Sequence, residues 1–363
     1  MADLIDARIA RLVARRFTGD GSVADSYLVE TLRRDLATAV PKAEELVAKE
    51  SGIPRPDPVN WAIVDRGSWV EANISGMVRL LSPLEKSLRP RLEGLAVPVR
   101  VAQRTAISTE VGVLLGYVSR RVLGQYDVLV TETPSPPAPT RRTRRKALSN
   151  GTNLYFVGQN IVETERKFGF VPRDFSLWVA VHEVTHRFQF AGVPWLSGHF
   201  LKLVESYLGS LELDAGGLAA RLASAARRLL AGDVPPEERN PIYLLSSEEQ
   251  KRTLDELQAL MSVVEGHGNY VMDAIGSQII PSFPRMRRVF ERRRQQVTAL
   301  QRIINHAIGL EMKLKQYELG QSFCNHVVEK KGPAALAGLW TSPSSFPTMA
   351  ELRDPDRWIG RVA

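Results

Sequence analysis

The sequence predicts a mainly α protein with a small β-sheet, an α+β fold. Three observations carry that expectation. Apolar residues recur every three or four positions through most of the chain, the period of helices that bury one face. Two short runs rich in Val, Leu, Tyr and Phe break that rhythm, and proline clusters punctuate it. A length of 363 residues with 44% hydrophobic content is enough to enclose a sizeable core.

In chain order, helical periodicity covers 4–17, 27–49 and 69–85, and "SGIPRPDPVNW" (51–61) separates the second and third of these as an extended loop. Residues 107–123 follow, a helix whose glycines and other small residues suit close packing against a neighbour. "YDVLVTET" (126–133) and "NLYFVGQNI" (153–161) are the two strand candidates, joined most simply as a long-looped hairpin. Between them the Pro- and Arg-rich "PSPPAPTRRTRRKALSNG" cannot contribute to a core and reads as a mobile excursion. A helix capped by Asp174 or Ser176 then runs to about residue 190, where "AGVPW" stops it. Further helices are expected at about 198–210, 217–231, 247–273, 284–306 and 310–330. The divisions are thus a helical region at 1–130, a mobile loop at 131–152 and a region at 153–363 that holds the motifs read below as catalytic. A hairpin bridging the loop would make the first and last a single structural unit.

Composition narrows the function classes. Lys and Arg number 48 against 40 Asp and Glu, and the resulting +8 is concentrated in RRTRRK (141–146) and RRVFERRR (287–294). Neither run carries the interleaved aromatics of a base-stacking surface, so no nucleic-acid partner is expected. A single cysteine, Cys324, excludes an intrachain disulfide framework and a thiolate-rich zinc site. The amino-terminal MADLIDARIARLVARRF never offers the unbroken apolar core of a secretory signal. Nor does any stretch approach the ~20 apolar residues of a membrane span, and a cytoplasmic protein is expected.

Chemistry concentrates in "VAVHEVTHRFQF" (179–190). Residues four apart on a helix share a face with Cβ atoms ~5–6 Å apart, so His182 and His186 converge on one ion. Zinc takes imidazole nitrogen at ~2.0–2.1 Å and keeps one position open when three protein ligands hold it. Glu183 points beside that ion, placed to take a proton from water and return it to a leaving amine. Arg187 stands out in an otherwise uncharged helix and is expected to face solvent or a carboxylate.

A third ligand must come from elsewhere, because the position six residues after the second histidine is Gly192. "MSVVEGHGNYVMDAIG" (261–276) supplies Glu265 among small and apolar residues. His267 is the alternative, though it projects ~200° from Glu265 on a helix, and His199 ranks after it. Asn269 and Asp273 share the Glu265 stripe and are expected to orient a ligand imidazole from behind. Gly266 and Gly268 each cost a helix ~1 kcal/mol relative to alanine, which points to close approach by another segment, the His182 helix fitting best. Tyr317 is a candidate donor to a developing oxyanion. An extended substrate is expected to pair with the 153–161 strand as a sheet edge.

Taken together, HEVTH, VVEGHGNYVMDAIG, VLGQYD (122–127) and GLEMKLKQYELGQSF (309–323) resemble the bacterial zincin-like metallopeptidases, a family first catalogued as a domain of unknown function. The resemblance covers the chain from about residue 61 to its end. It implies a zincin-like core around an HExxH helix, a Zn2+ cofactor and a metallohydrolase acting on a peptide or protein substrate. Some relatives are associated with biosynthesis of a deazaflavin cofactor. The alternative is a catalytically silent scaffold that keeps the zincin core.

Overall fold

A three-stranded sheet lies between two unequal helical layers. The computed structural model describes residues 4–19, 26–58, 60–94, 96–128, 152–210, 227, 241–295 and 310–362. Strands β1 (Asn60–Val64), β2 (Gly124–Tyr126) and β3 (Thr152–Val157) are arranged in the order β1-β3-β2. β3 runs parallel to β1 and antiparallel to β2. Its residues alternate between two cores: Leu154 and Phe156 join the larger cluster, Tyr155 and Val157 the smaller. A central strand buried on both faces reads as a continuous hydrophobic run, as LYFV (154–157) does.

The smaller layer packs helices α1 (Ala7–Phe17), α3 (Arg66–Leu80) and α5 (Val97–Ser119) around Ala10, Ala14, Trp69, Ile74 and Leu115. The small residues of α5 serve the close packing expected of them. A Cβ at Gly112 would come within 2.6 Å of the Ala10 carbonyl, so α1 lies directly on α5. α4 (Ser82–Glu93) follows α3.

The larger layer holds α2 (Tyr27–Glu50), α6 (Gly158–Phe168), α7 (Pro172–Gly192) and α8 (Leu196–Gly209). After α9 (Pro241–Leu245) come α10 (Glu248–Ile279), α11 (Phe283–Gln295) and α12 (Leu310–Lys331). A 3-10 turn (Pro333–Trp340) and the short helices α13 (Met349–Arg353) and α14 (Pro355–Val362) close the chain. α10 starts at a capping box, in which the Ser247 hydroxyl accepts from the Gln250 N–H and the Gln250 side chain accepts from the Ser247 N–H. It then runs 32 residues through the core.

Four expectations are corrected. Asn60 and Trp61, read as the end of an extended loop, open a strand, NWAIV at 60–64, because it finds a parallel partner in β3. The second strand candidate stops at Val157, and Gly158 to Ile161 open α6. Of the first strand candidate, 126–128 are described, and of these Tyr126 alone belongs to a strand, at the end of β2. Neither Asp174 nor Ser176 caps α7: Pro172, with its φ already helical, starts the helix after Val171. The Asp174 carboxylate instead accepts from the N–H and hydroxyl of Ser282, at 3.0 and 2.6 Å, and ties the start of α7 to the turn between α10 and α11. The excursion at 131–152 lies outside the described residues except for Thr152, as do the helix at 217–231 except for Arg227 and the end of that at 284–306. Both β1 and β2, from the region before the excursion, hydrogen-bond to β3 beyond it. No helix among the described residues is long and apolar enough to cross a membrane.

Two features of the larger core generate measurable consequences. α10 and α12 cross at Gly266 and Gly320, where a Cβ on either would run into the backbone of the other helix. Backbone cannot swing aside as a side-chain end can, so Gly266→Ala should destabilise the protein by about 3 kcal/mol in urea unfolding. Cys324 is fully buried on α12, and burial pushes its thiol up to about 12. A colorimetric disulfide reagent at pH 8 should therefore titrate no thiol in the native protein and one thiol per chain in denaturant.

Candidate metal centre

Three electron-pair donors converge where α7 meets α10. Nε2 of His186 lies 3.2 Å from Nε2 of His182 and 3.5 Å from Oε2 of Glu265. The ligand atoms of the three residues all fall within 4.8 Å of one another. Ligands at ~2.0–2.1 Å from a tetrahedral ion stand roughly 3.4 Å apart, so the two distances from His186 are those of zinc ligands. It is also the only such group of three among the described residues.

Hydrogen bonds to the outer ring nitrogens set which lone pairs face inward. Nδ1 of His186 sits 2.8 Å from Oε1 of Gln189, and Nδ1 of His182 sits 2.9 Å from Sδ of Met272. An amide oxygen and a thioether both accept, so each Nδ1 carries the hydrogen and each Nε2 turns its lone pair toward the centre. Two such lone pairs and a carboxylate oxygen repel one another unless a cation stands between them. Burial lowers the proton affinity of His186, but the hydrogen bond and charge of Glu265, with the charge of Glu183, outweigh it and the pKa is raised. The negative potential that favours a proton there favours a metal cation equally.

Glu183 is buried on α7 and meets the sheet edge. A Cβ placed on Gly124 of β2 would lie 2.6–2.8 Å from the Cγ, Cδ and Oε1 atoms of Glu183. Only glycine lets the strand lie this close to the carboxylate. That gives a physical reason for the glycine of VLGQYD.

The remaining candidates are dispersed. His267 is fully buried, with Nε2 3.1 Å from the Ser51 carbonyl and Nδ1 facing Gln189, and burial pushes its pKa down to about 4. It points away from the three convergent donors. His199 packs edge-on against Trp195, 5.7 Å between ring centroids, on α8. Asp273 forms an ion pair with Arg287 at 2.9 Å and accepts from Gln321 at 2.7 Å, while Asn269 lines a small cavity with Trp178 and Met272. The groups at the outer nitrogens of the imidazoles are thus Gln189 and Met272 rather than Asn269 and Asp273. Tyr317 belongs to α12, with its side chain outside the described ones.

Gln189 is the residue that sequence reasoning missed, although a signal existed: it follows His186 by three, one turn along the same helix face. The glycine argument was half correct. Gly268 faces α7, where an added Cβ would stand 3.5 Å from Cε1 of His186, but Gly266 is approached by α12. Arg187 is fully buried and faces a carboxylate, its Nη1 lying 2.6 Å from Oε1 of Glu44.

The model of a family described as zincin-like metallopeptidases matches residues 5–359. A crystal structure of a candidate hydrolase with a novel fold from Chloroflexus aurantiacus superposes with a TM-score of 0.66, at 29% identity over 98% of each chain. No protein of curated function matches. The family match spans both helices that carry the convergent donors and the strand that covers Glu183, and the chain belongs to the zincin-like metallopeptidase family.

Proposed function

We propose that the protein is a zinc-dependent metallohydrolase that cleaves peptide bonds, with His182, His186 and Glu265 as zinc ligands and Glu183 as general base. The observation that carries this reading is the inward convergence of two Nε2 lone pairs and a carboxylate oxygen, 3.2 and 3.5 Å apart. A zinc ion held there supplies the Lewis acidity that makes water a nucleophile near neutral pH. Glu183 is adjacent in sequence to His182 and buried, so its carboxylate holds a proton out of reach of bulk solvent. It takes that proton from the attacking water and delivers it to the amine that leaves, and the peptide C–N bond breaks as the new C–O bond forms. Gln189 and Met272 hold the imidazoles in place behind their Nδ1 atoms.

The sheet supports a revised path for the substrate. β3, expected as the edge, is central and has partners on both sides. β1 and β2 are the edge strands of the described sheet, and β2 carries Gly124 against Glu183. An extended peptide pairing with β2 by backbone hydrogen bonds brings its scissile amide to Glu183 and the histidines.

Metal analysis and turnover test this reading together. Wild-type protein should retain about one zinc per chain, and His182→Ala should lose it. Glu183→Gln should keep the zinc and lose turnover of a mixed peptide library, read by mass spectrometry, by at least about 10²-fold. Zinc retained by His182→Ala, or wild-type turnover in Glu183→Gln, would overturn the assignment. Gly124→Ala should leave zinc content unchanged and cut turnover by roughly tenfold or more, because the added methyl must push the Glu183 carboxylate aside.

A further inference from the structure

Behind His186 a chain of hydrogen bonds runs inward, away from the convergent donors, through Gln189 to His267, a side chain that the proposed chemistry leaves without a task. Oε1 of Gln189 meets Nδ1 of His186 at 2.8 Å. The amide nitrogen of Gln189 donates to the Val264 carbonyl at 2.8 Å and lies 3.1 Å from Nδ1 of His267. Nε2 of His267 lies 3.1 Å from the Ser51 carbonyl. Gln189 and His267 are both completely buried, so water completes none of these contacts.

The two backbone carbonyls at the ends of this chain can only accept, and that fixes every hydrogen between them. Ser51 requires the hydrogen of His267 on Nε2, which leaves Nδ1 as an acceptor. Val264 requires the amide nitrogen of Gln189 on its side, so the second amide hydrogen points at Nδ1 of His267. The amide oxygen is then turned to His186 and requires a hydrogen on its Nδ1. Both ends dictate the same arrangement, and its outcome is a His186 ring whose Nε2 lone pair is committed to the centre.

We propose that His267 is a positioning residue for His186, acting through Gln189, with the proline-rich segment after α2 as the fixed point from which the relay starts. This rests on the reading of His186 as a metal ligand. The segment is held by α7 a second time, since Nη2 of Arg187 donates to the carbonyls of Pro56, at 3.2 Å, and Asp57. Gly192, at the end of α7, also packs against the Pro54 carbonyl, where a Cβ would intrude to 2.6 Å. Segment 51–57 is in this way part of the framework of the metal centre, although it contributes no ligand.

Two measurements test the relay. Long-range 1H–15N spectra of the chelator-treated wild-type protein report histidine tautomers directly. His267 should carry its hydrogen on Nε2 and His186 on Nδ1. The opposite tautomer at His267 overturns the relay, whatever the variants do. Zinc affinity, measured by competition with a chromogenic chelator, is then compared with the melting temperature of the metal-free protein. His267→Leu should weaken zinc binding by roughly 10–100-fold. His267→Gln should restore it to within about threefold, because an amide can accept from Gln189 and donate to Ser51. Equal zinc affinity in His267→Leu and wild type would make His267 a packing residue only. Failure of the wild type to bind zinc would overturn the metal reading itself, while the tautomers still decide the relay.

Discussion

A guanidinium buried beside His186, one of the three convergent donors, is the constraint around which this fold is organised. Arg187 follows His186 directly and is 1% exposed, a place where an unpaired charge would be prohibitive. Burial lowers its pKa while the Glu44 carboxylate raises it, and the charge is kept because three acceptors surround it. Glu44 comes from α2, and the Pro56 and Asp57 carbonyls from the segment after it. Neutralising one residue of α7 therefore fixes α2, the proline-rich segment and α7 against one another. Breaking a buried pair of this kind typically costs ~3–5 kcal/mol, because the partner is left stranded.

The site inherits its precision from that assembly. α7 presents two imidazoles and a carboxylate within five residues, but their orientation is decided by groups from other elements. Gly268 leaves room for the His186 ring, Met272 backs His182, and Gly124 lies on Glu183. α10 supplies Glu265 because α12 crosses it at glycine on glycine and presses the helix into the core. Helix packing at this distance leaves no space for side-chain adjustment, and a rigid backbone is what a three-ligand site needs.

Much of this was legible in the sequence, and the exceptions share a cause. The long helices were clear because their apolar period is sustained, and 27–49 differs by one residue from the observed α2, Tyr27–Glu50. The convergence of Glu265 with the two histidines could be anticipated because the histidine pair needs a third ligand and Glu265 stands among small and apolar residues. What escaped depends on contacts between distant segments. β1 is a strand only because β3 lies beside it, and its NWAIV carries no periodicity of its own. Gln189 looks like any polar residue on a helix until Val264, His267 and His186 surround it. Asp273 shares the stripe of Glu265, as the spacing indicated, but Arg287 of α11 claims it, and nothing local announces that pairing.

The strand order has a consequence for how the chain reaches its working form. Asn60 of β1 pairs with Thr152 of β3 across an interval of roughly ninety residues, and closing a loop of that length costs about 4 kcal/mol of chain entropy before any contact repays it. Such non-local pairing slows folding. The HEVTH helix can form early from its own sequence, whereas the sheet edge over Glu183 depends on long-range closure. Enclosure of Glu183 therefore depends on the completed sheet rather than on the helix that carries it.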